Sequence, residues 1–412
     1  MRRTCLLLIA LLFLLPASAA AQDENQIVKR LARYMRAAGP YSGAYVYEVS
    51  GDRPHAVFRW RQKTPRILAS NTKLFTTTAA LARFGVQGTL GTEVLGTGEL
   101  DSEGVFSGSL YLRGGGDPTF GSRTFTRNAY GGGATAQDLA ALLVDTGIER
   151  VTGRVYGDES AFDSLRGGPD SGYGVSPWVG PLSGLSYNRG LFPEGGRGFQ
   201  ANPPAFAAAR LGEALKARGV TVRLKPRAGI APVGARVIAS VESPPMERLI
   251  RLTNKPSDNF FAETLLKDLA YQAGGVGTTA AGARIAASHA RRLGIRATLV
   301  DGSGLARGNR ASPQGIVRLL STMYGSDDYE VFVDSLPIAG RDGTLFDRMR
   351  RGPAKARCRG KTGTLSNVSA LSGYCEALSG DNYAYSILMN GVYPTGARKL
   401  QDLMLQALSR YG

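Results

Sequence analysis

Ser70 and Lys73 stand three residues apart in Ala69-Ser70-Asn71-Thr72-Lys73-Leu74-Phe75-Thr76-Thr77-Thr78-Ala79-Ala80-Leu81. Leu74, Phe75 and Leu81 give this stretch an apolar helical stripe that starts at Ser70 and stops near Gly85. Residues three apart share a helix face, so the Lys73 amine can reach the Ser70 hydroxyl. A lysine kept neutral by its surroundings can take the serine proton and make the oxygen a nucleophile. The unpaired first-turn N–H groups would stabilise an oxyanion formed there. Taken alone the pair is equally the start of an ordinary helix: an N-cap serine followed by a solvated lysine.

Two later stretches add chemistry. Ser257-Asp258-Asn259 precedes a helical pattern. It offers a hydroxyl and an amide for relaying a proton and holding a substrate amide, or simply an N-cap. Lys361-Thr362-Gly363-Thr364 lies in an alternating, strand-like segment. Gly363 lacks a Cβ, so a peptide could lie close against that strand, and Lys361 could hold an anionic end. The structural alternative is a charged, protected strand edge.

The elements that must position these residues follow from pattern. Asp23 to Ala38 has helical spacing, and Tyr45–Val49 and Ala56–Trp60 read as strands across a turn at Ser50-Gly51-Asp52. Helices are expected at Met246–Leu252, Phe260–Ala270, Ala280–Leu293 and Pro313–Tyr324, with a turn at Asp301-Gly302-Ser303-Gly304-Leu305. Strands at Cys358–Leu365, Val368–Ala377 and Tyr383–Met389 and a helix at Gly396–Ser409 close the chain. Residues 22–84 and 245–412 would then form one α+β domain with an antiparallel sheet. Residues 85–244 would form an inserted module of one or two nested subdomains. The insert reads as a hairpin (Thr92–Gly98, Val105–Leu112), a glycine-rich turn at Gly114–Pro118, a helix at Ala136–Asp145, and a strand at Val151–Tyr156. A long ordered loop at Leu165–Gly180, a helix at Ala205–Arg218 and a strand at Val237–Val241 complete it. A chain of 412 residues exceeds one ordinary core.

Residues 1–21 read as a secretory signal. Arg2-Arg3 precedes an apolar run from Leu6 to Leu15 and the small-residue stretch Pro16–Ala21, with cleavage after Ala19 or Ala21. The run is about half the ~20 residues of a membrane span. Loss of Arg2 and Arg3 takes the formal charge from +17 to +15. In an exported, periplasmic protein such a charge favours an anionic wall or peripheral contact with a membrane face, a merely solubilising surface being the alternative. No nucleic-acid module is visible, so nucleic acid is not expected as a partner. Only His55 and His289 are available for a Ser–His–Asp triad, and both lie in ordinary amphipathic contexts. No cluster has metal-ligand spacing, so neither metal nor cofactor is expected. A two-residue turn at Ser366-Asn367 would set Cys358 opposite Cys375, and export permits a disulfide, two buried free thiols being the alternative.

Ser-x-x-Lys, Ser-x-Asn and Lys-Thr-Gly in this order resemble the serine penicillin-recognising enzymes. The interval from Ser70 to Ser257 is much longer than in class A β-lactamases. It resembles the class C low-molecular-mass penicillin-binding proteins, the D-Ala-D-Ala carboxypeptidases and endopeptidases of the penicillin-binding protein 4 type. Leu112–Pro118, Leu182–Asn188, Asp301–Leu305 and Leu336–Leu345 are also similar to that family. The resemblance implies that Ser70 attacks the penultimate D-Ala carbonyl of a peptidoglycan stem peptide while Lys73 accepts its proton. Ser257 and Lys361 would return a proton to the leaving amine, and Asn259 would hold the substrate amide. The N–H groups of Ser70 and Thr364 would form the oxyanion hole, and Lys361, Thr362 and Thr364 would bind the terminal carboxylate beside Gly363. β-Lactams would acylate Ser70 durably. The rival readings are a β-lactamase or esterase of the same fold and a non-catalytic wall-binding protein.

Overall fold

The computed structural model describes residues 16–51, 53–193 and 196–411. The apolar core of the expected signal segment and Asp52 of the first turn lie outside these residues. Five antiparallel strands form the principal sheet, in the order Cys358–Leu365, Val368–Glu376, Asn382–Asn390, Ser42–Glu48, Ala56–Trp60. The two ends of the chain meet where Ser42 pairs with Met389 and Glu48 with Tyr383.

Successive strand residues point to opposite faces, and both faces of this sheet are covered. Leu371, Tyr385, Ile387 and Met389 face one apolar cluster with Leu31 and Met35 of the first helix (Pro16–Ala37) and Met404, Leu405 and Leu408 of the last (Pro394–Arg410). Their neighbours Ala370, Ala384 and Leu388 face the other cluster. Leu74 and Phe75 of the helix Thr72–Phe84, Phe260 and Leu265 of Asn259–Tyr271, and Ile316 and Leu320 of Pro313–Tyr324 fill it. Each of these fully buried side chains contributes about 1.5–3 kcal/mol of transfer free energy. The first helix begins at Pro16, earlier than the spacing predicts, and runs through the expected cleavage sites.

Residues 94–239 build a third cluster of their own. Here the helices Ala136–Asp145 and Pro203–Lys216 pack on one face of a second five-stranded sheet. Its order is Arg227–Ala228, Val155–Asp158, Leu110–Gly114, Gly91–Gly96, Arg236–Glu242. This sheet is mixed. Leu110–Gly114 and Val155–Asp158 run parallel because two helices, Arg123–Tyr130 and Ala136–Asp145, lie between them in the chain. The single strand expected at Val151–Tyr156 is in fact two, Arg150–Val151 and Val155–Asp158, in different sheets. Gly153 separates them, and a Cβ there would lie 2.4 Å from the Gly108 carbonyl oxygen. Residues 165–180 form an ordered loop with one short 3-10 turn at Pro169–Ser171. No helix among the described residues is long and apolar enough to cross a membrane.

Candidate active site

The turn that carries Ser70 is strained. Ala69–Asn71 forms a single 3-10 turn that feeds directly into Thr72–Phe84, and Ala69 has φ +46°. A non-glycine residue holds that conformation only where its surroundings enforce it. Here Gly304 admits the Ala69 carbonyl, since a Cβ on Gly304 would come within 1.9 Å of it. On the other side Gly363 of the edge strand meets the same turn. A Cβ on Gly363 would lie 2.9 Å from the Ser70 nitrogen. The missing side chain thus makes room for the nucleophile's own backbone, whereas the sequence suggested room for a substrate peptide.

Lys73 is completely buried, and its Nζ donates to three oxygens: Ser70 Oγ at 3.1 Å, Asn259 Oδ1 at 2.7 Å and the Ser303 carbonyl at 2.7 Å. Burial lowers its pKa to about 8, against the opposing pull of Asp301, Glu263 and Asp258. The Ser303 carbonyl is aimed by the turn Asp301–Gly304. Glu263 accepts from the Gly302 and Ser303 N–H groups at 3.1 and 2.8 Å, and Asp301 from Gly304 and Ala306 at 2.7 and 2.6 Å. A motif with no assigned chemistry in the sequence therefore supplies the third partner of Lys73.

The Ser257-Asp258-Asn259 stretch divides its labour. Asp258 is the N-cap, accepting from the Phe261 N–H at 3.0 Å and held bidentately by Arg189 at 2.5 and 3.2 Å. Asn259, at the first helical position, gives Oδ1 to Lys73, and its Nδ2 donates to the Trp178 carbonyl at 3.1 Å. Ser257 has φ +63° and accepts from Lys361 Nζ at 2.8 Å. Lys361 is fully buried, and burial followed by the charge of Lys73 drives its pKa well below the ordinary lysine value.

Ser70, Trp178, Ser257, Asn259, Thr362, Gly363 and Thr364 share one cleft of about 530 Å³ with Leu305, Thr344, Asp347, Arg348, Leu365 and Arg398. The sequence placed Lys361, Thr362 and Thr364 on an anionic substrate end. Lys361 has no exposed surface for it, and Thr362 Oγ1 is 2.7 Å from Thr344 Oγ1. The exposed cation at this end is Arg398 of the last helix, whose Nη2 donates to Thr364 Oγ1 at 2.9 Å. Sequence pattern missed Arg398, Trp178 and Arg189, since each sits among other polar or loop residues with no spacing to mark it. His289 lies in Thr279–Arg292 and His55 pairs with Glu24 and Glu48, both away from the cleft. Beyond the cleft, Cys358 and Cys375 are opposite each other in the register and joined by a disulfide.

Comparison with known proteins agrees with this geometry. A model of the D-Ala-D-Ala carboxypeptidase 3 (S13) family matches residues 24–192 and 198–411. The chain is 29% identical to a D-alanyl-D-alanine carboxypeptidase of Actinomadura sp. (strain R39), across 83% of this chain and 77% of that protein. It is 32% identical to the carboxypeptidase DacB of Mycolicibacterium smegmatis, across 84% and 76%. Among solved structures it is similar to penicillin binding protein 4 (dacB) from Haemophilus influenzae. The TM-score there is 0.77 with 20% identity, covering 92% of this chain and 99% of that one. A serine on a strained turn aimed at a buried lysine, set in a chain that matches along nearly its whole length, makes this protein a member of the D-Ala-D-Ala carboxypeptidase 3 (S13) family, the class C low-molecular-mass penicillin-binding proteins.

Proposed function

We propose that the protein is an exported, periplasmic serine D,D-peptidase that cleaves the terminal D-Ala–D-Ala bond of peptidoglycan stem peptides. Residues 22–84 and 245–412 form its catalytic unit and 85–244 its insert. The observation that carries the reading is the contact of Ser70 Oγ with the fully buried Lys73 amine. At neutral pH about a tenth of Lys73 is free base, which takes the Ser70 proton as Oγ attacks the penultimate D-Ala carbonyl. The N–H groups of Ser70 and Thr364 receive the oxyanion. Ser257, bonded to Lys361, hands a proton to the departing amine, and Asn259 orients the acyl side. Thr362, Thr364 and Arg398 take the carboxylate of the leaving D-Ala. A cross-link whose leaving residue carries a carboxylate beside its amine fits the same cleft, giving D,D-endopeptidase activity.

Water then releases the acyl group. No glutamate lines the cleft among the described residues, and Glu263 is buried with its oxygens engaged by backbone N–H groups. This favours slow deacylation over β-lactamase turnover, so β-lactams inhibit covalently. The test is intact-protein mass after incubation with benzylpenicillin. A persistent adduct in wild type and none in Ser70→Ala is expected. Rapid drug loss without an adduct identifies a β-lactamase, and an adduct on Ser70→Ala rejects the nucleophile.

A further inference from the structure

Among the described residues the second sheet is covered by helices on one face only. On its outer face one cross-strand row runs Arg227, Tyr156, Tyr111, Leu95, Val237, each residue registered on the next. Tyr111 and Tyr156 stack with ring centroids 4.9 Å apart, and the Arg154 guanidinium lies 5.6 Å over Tyr156 while reaching the Lys225 carbonyl at 3.4 Å. The segment Gly229–Ala235 crosses this face. Gly229 rests against the Tyr156 ring, and the Ala231 N–H is anchored by Asp158 at 2.8 Å. Beyond that anchor the segment lifts Ile230 (71% exposed) and Val233 (fully exposed) into solvent, with Val237 at 52% beside them.

The charge around these apolar tips has one sign. From Val220 to Val241 the chain has no acidic residue and carries Arg223, Lys225, Arg227 and Arg236. Every one of these cations is exposed. The carboxylates on the same sheet face are Asp158, buried on the Ala231 N–H, Glu93, paired with Arg113 at 2.6 Å, and Glu242 at the far end of the edge strand opposite Gly91, while Glu99 lies near Arg236 at 4.0 Å. We propose that this outer face docks on an anionic lipid surface, with Ile230 and Val233 entering the acyl boundary, the tyrosine pair at headgroup level and the cations on lipid phosphates. A hydrated anionic wall polymer would satisfy the cations equally well. It has no apolar phase to receive exposed isoleucine and valine, and that favours lipid.

The test is sedimentation of the exported, purified protein with vesicles of phosphatidylcholine alone or with about a quarter phosphatidylglycerol, at low and high salt. Binding to the anionic vesicles that weakens with salt is expected. Ile230→Asp/Val233→Asp and Lys225→Glu/Arg227→Glu should each weaken it about tenfold or more, with hydrolysis of a soluble stem peptide unchanged. Wild type left in the supernatant overturns the proposal. So does full retention of binding by Ile230→Asp/Val233→Asp, which would reduce it to general charge. Sedimentation with isolated wall polymer but not with vesicles would make the partner the polymer and reject the lipid.

Discussion

Two of the buried pairs of like-charged groups in this molecule are treated in opposite ways. Lys73 and Lys361 sit beneath Ser70 with side-chain and backbone hydrogen-bond partners from three separate segments: Ser70, the Ser257–Asn259 stretch and Ser303. Asp117 and Asp268 are equally buried, where the turn after Leu110–Gly114 meets Asn259–Tyr271, yet Asp117 Oδ2 and both Asp268 oxygens have no hydrogen-bond partner among the described residues. Burial raises the Asp117 pKa to about 7, and burial together with Asp117 raises that of Asp268 well above its usual range. Both pairs are pushed toward neutrality by desolvation. The difference lies in wiring. The lysines are aimed by bonds that survive loss of a proton, so their neutral form is a reagent. The carboxyls lack such a frame, since Thr119 alone bonds one Asp117 oxygen and nothing among the described residues bonds Asp268, so their neutral form is a condition for packing the turn at Asp117 against Asn259–Tyr271.

The comparison is sharpened most by Lys73→Ala. It removes the base and leaves Asn259 Oδ1 and the Ser303 carbonyl without their donor, and penicillin acylation should fall about 10³-fold. An acylation rate within tenfold of wild type would place the base elsewhere. Gly363→Ala puts a methyl 2.9 Å from the Ser70 nitrogen and should cost roughly 10² in acylation with the thermal midpoint little changed. Normal kinetics would show that the nucleophile turn has slack. Arg398→Ala should lower kcat/KM for a D-Ala-D-Ala peptide by about 10- to 100-fold, the value of a charge-assisted hydrogen bond. The same peptide ending in D-alaninamide should lose almost nothing, and equal losses on both would remove Arg398 from carboxylate recognition.

With a Lys73 pKa near 8, wild-type kcat/KM should climb about tenfold per pH unit below 8 and flatten above it. A flat profile from pH 6 to 8 would contradict a titrating lysine base. The smallest effect belongs to the carboxyl pair. Its folded pKa values lie above the unfolded ones, so the folded state holds more protons between about pH 4 and 7. Its contribution to stability is therefore present at low pH and lost as pH rises through about 7. Asp268→Asn should raise the midpoint at pH 8.5 by ~2–4 °C and leave it nearly unchanged at pH 5. An unchanged midpoint at both would mean that the pair is already relieved, for instance by bound water.

Much of this was legible in the sequence because the stretches before residue 85 and after residue 244 obey local rules. The 3.6-residue spacing from Leu74 to Leu81 and the two-residue turn after Leu365 fix helix and register without outside help. The insert was harder to read. Val151 and Val155 share one short stretch that alternates like a strand, and the Gly108–Gly153 backbone contact sends them to different sheets. The same holds within the site. Ser70 and Lys73 are linked by helical geometry. Arg398 reaches Thr364 only because the last helix packs across the principal sheet, a tertiary fact no local window contains.

The Asn259 amide is held from both sides, by Lys73 of the nucleophile helix and by the Trp178 carbonyl of the segment between the two halves of the catalytic unit. That single side chain bears on protein engineering. The 85–244 segment is no detachable cassette. Cutting it out to make a minimal hydrolase, or exchanging it with a relative's, would free one end of the amide that orients the base. Chimaeras should keep residues 165–190 with the catalytic unit, placing their crossovers on the helix-covered sheet beyond Glu159.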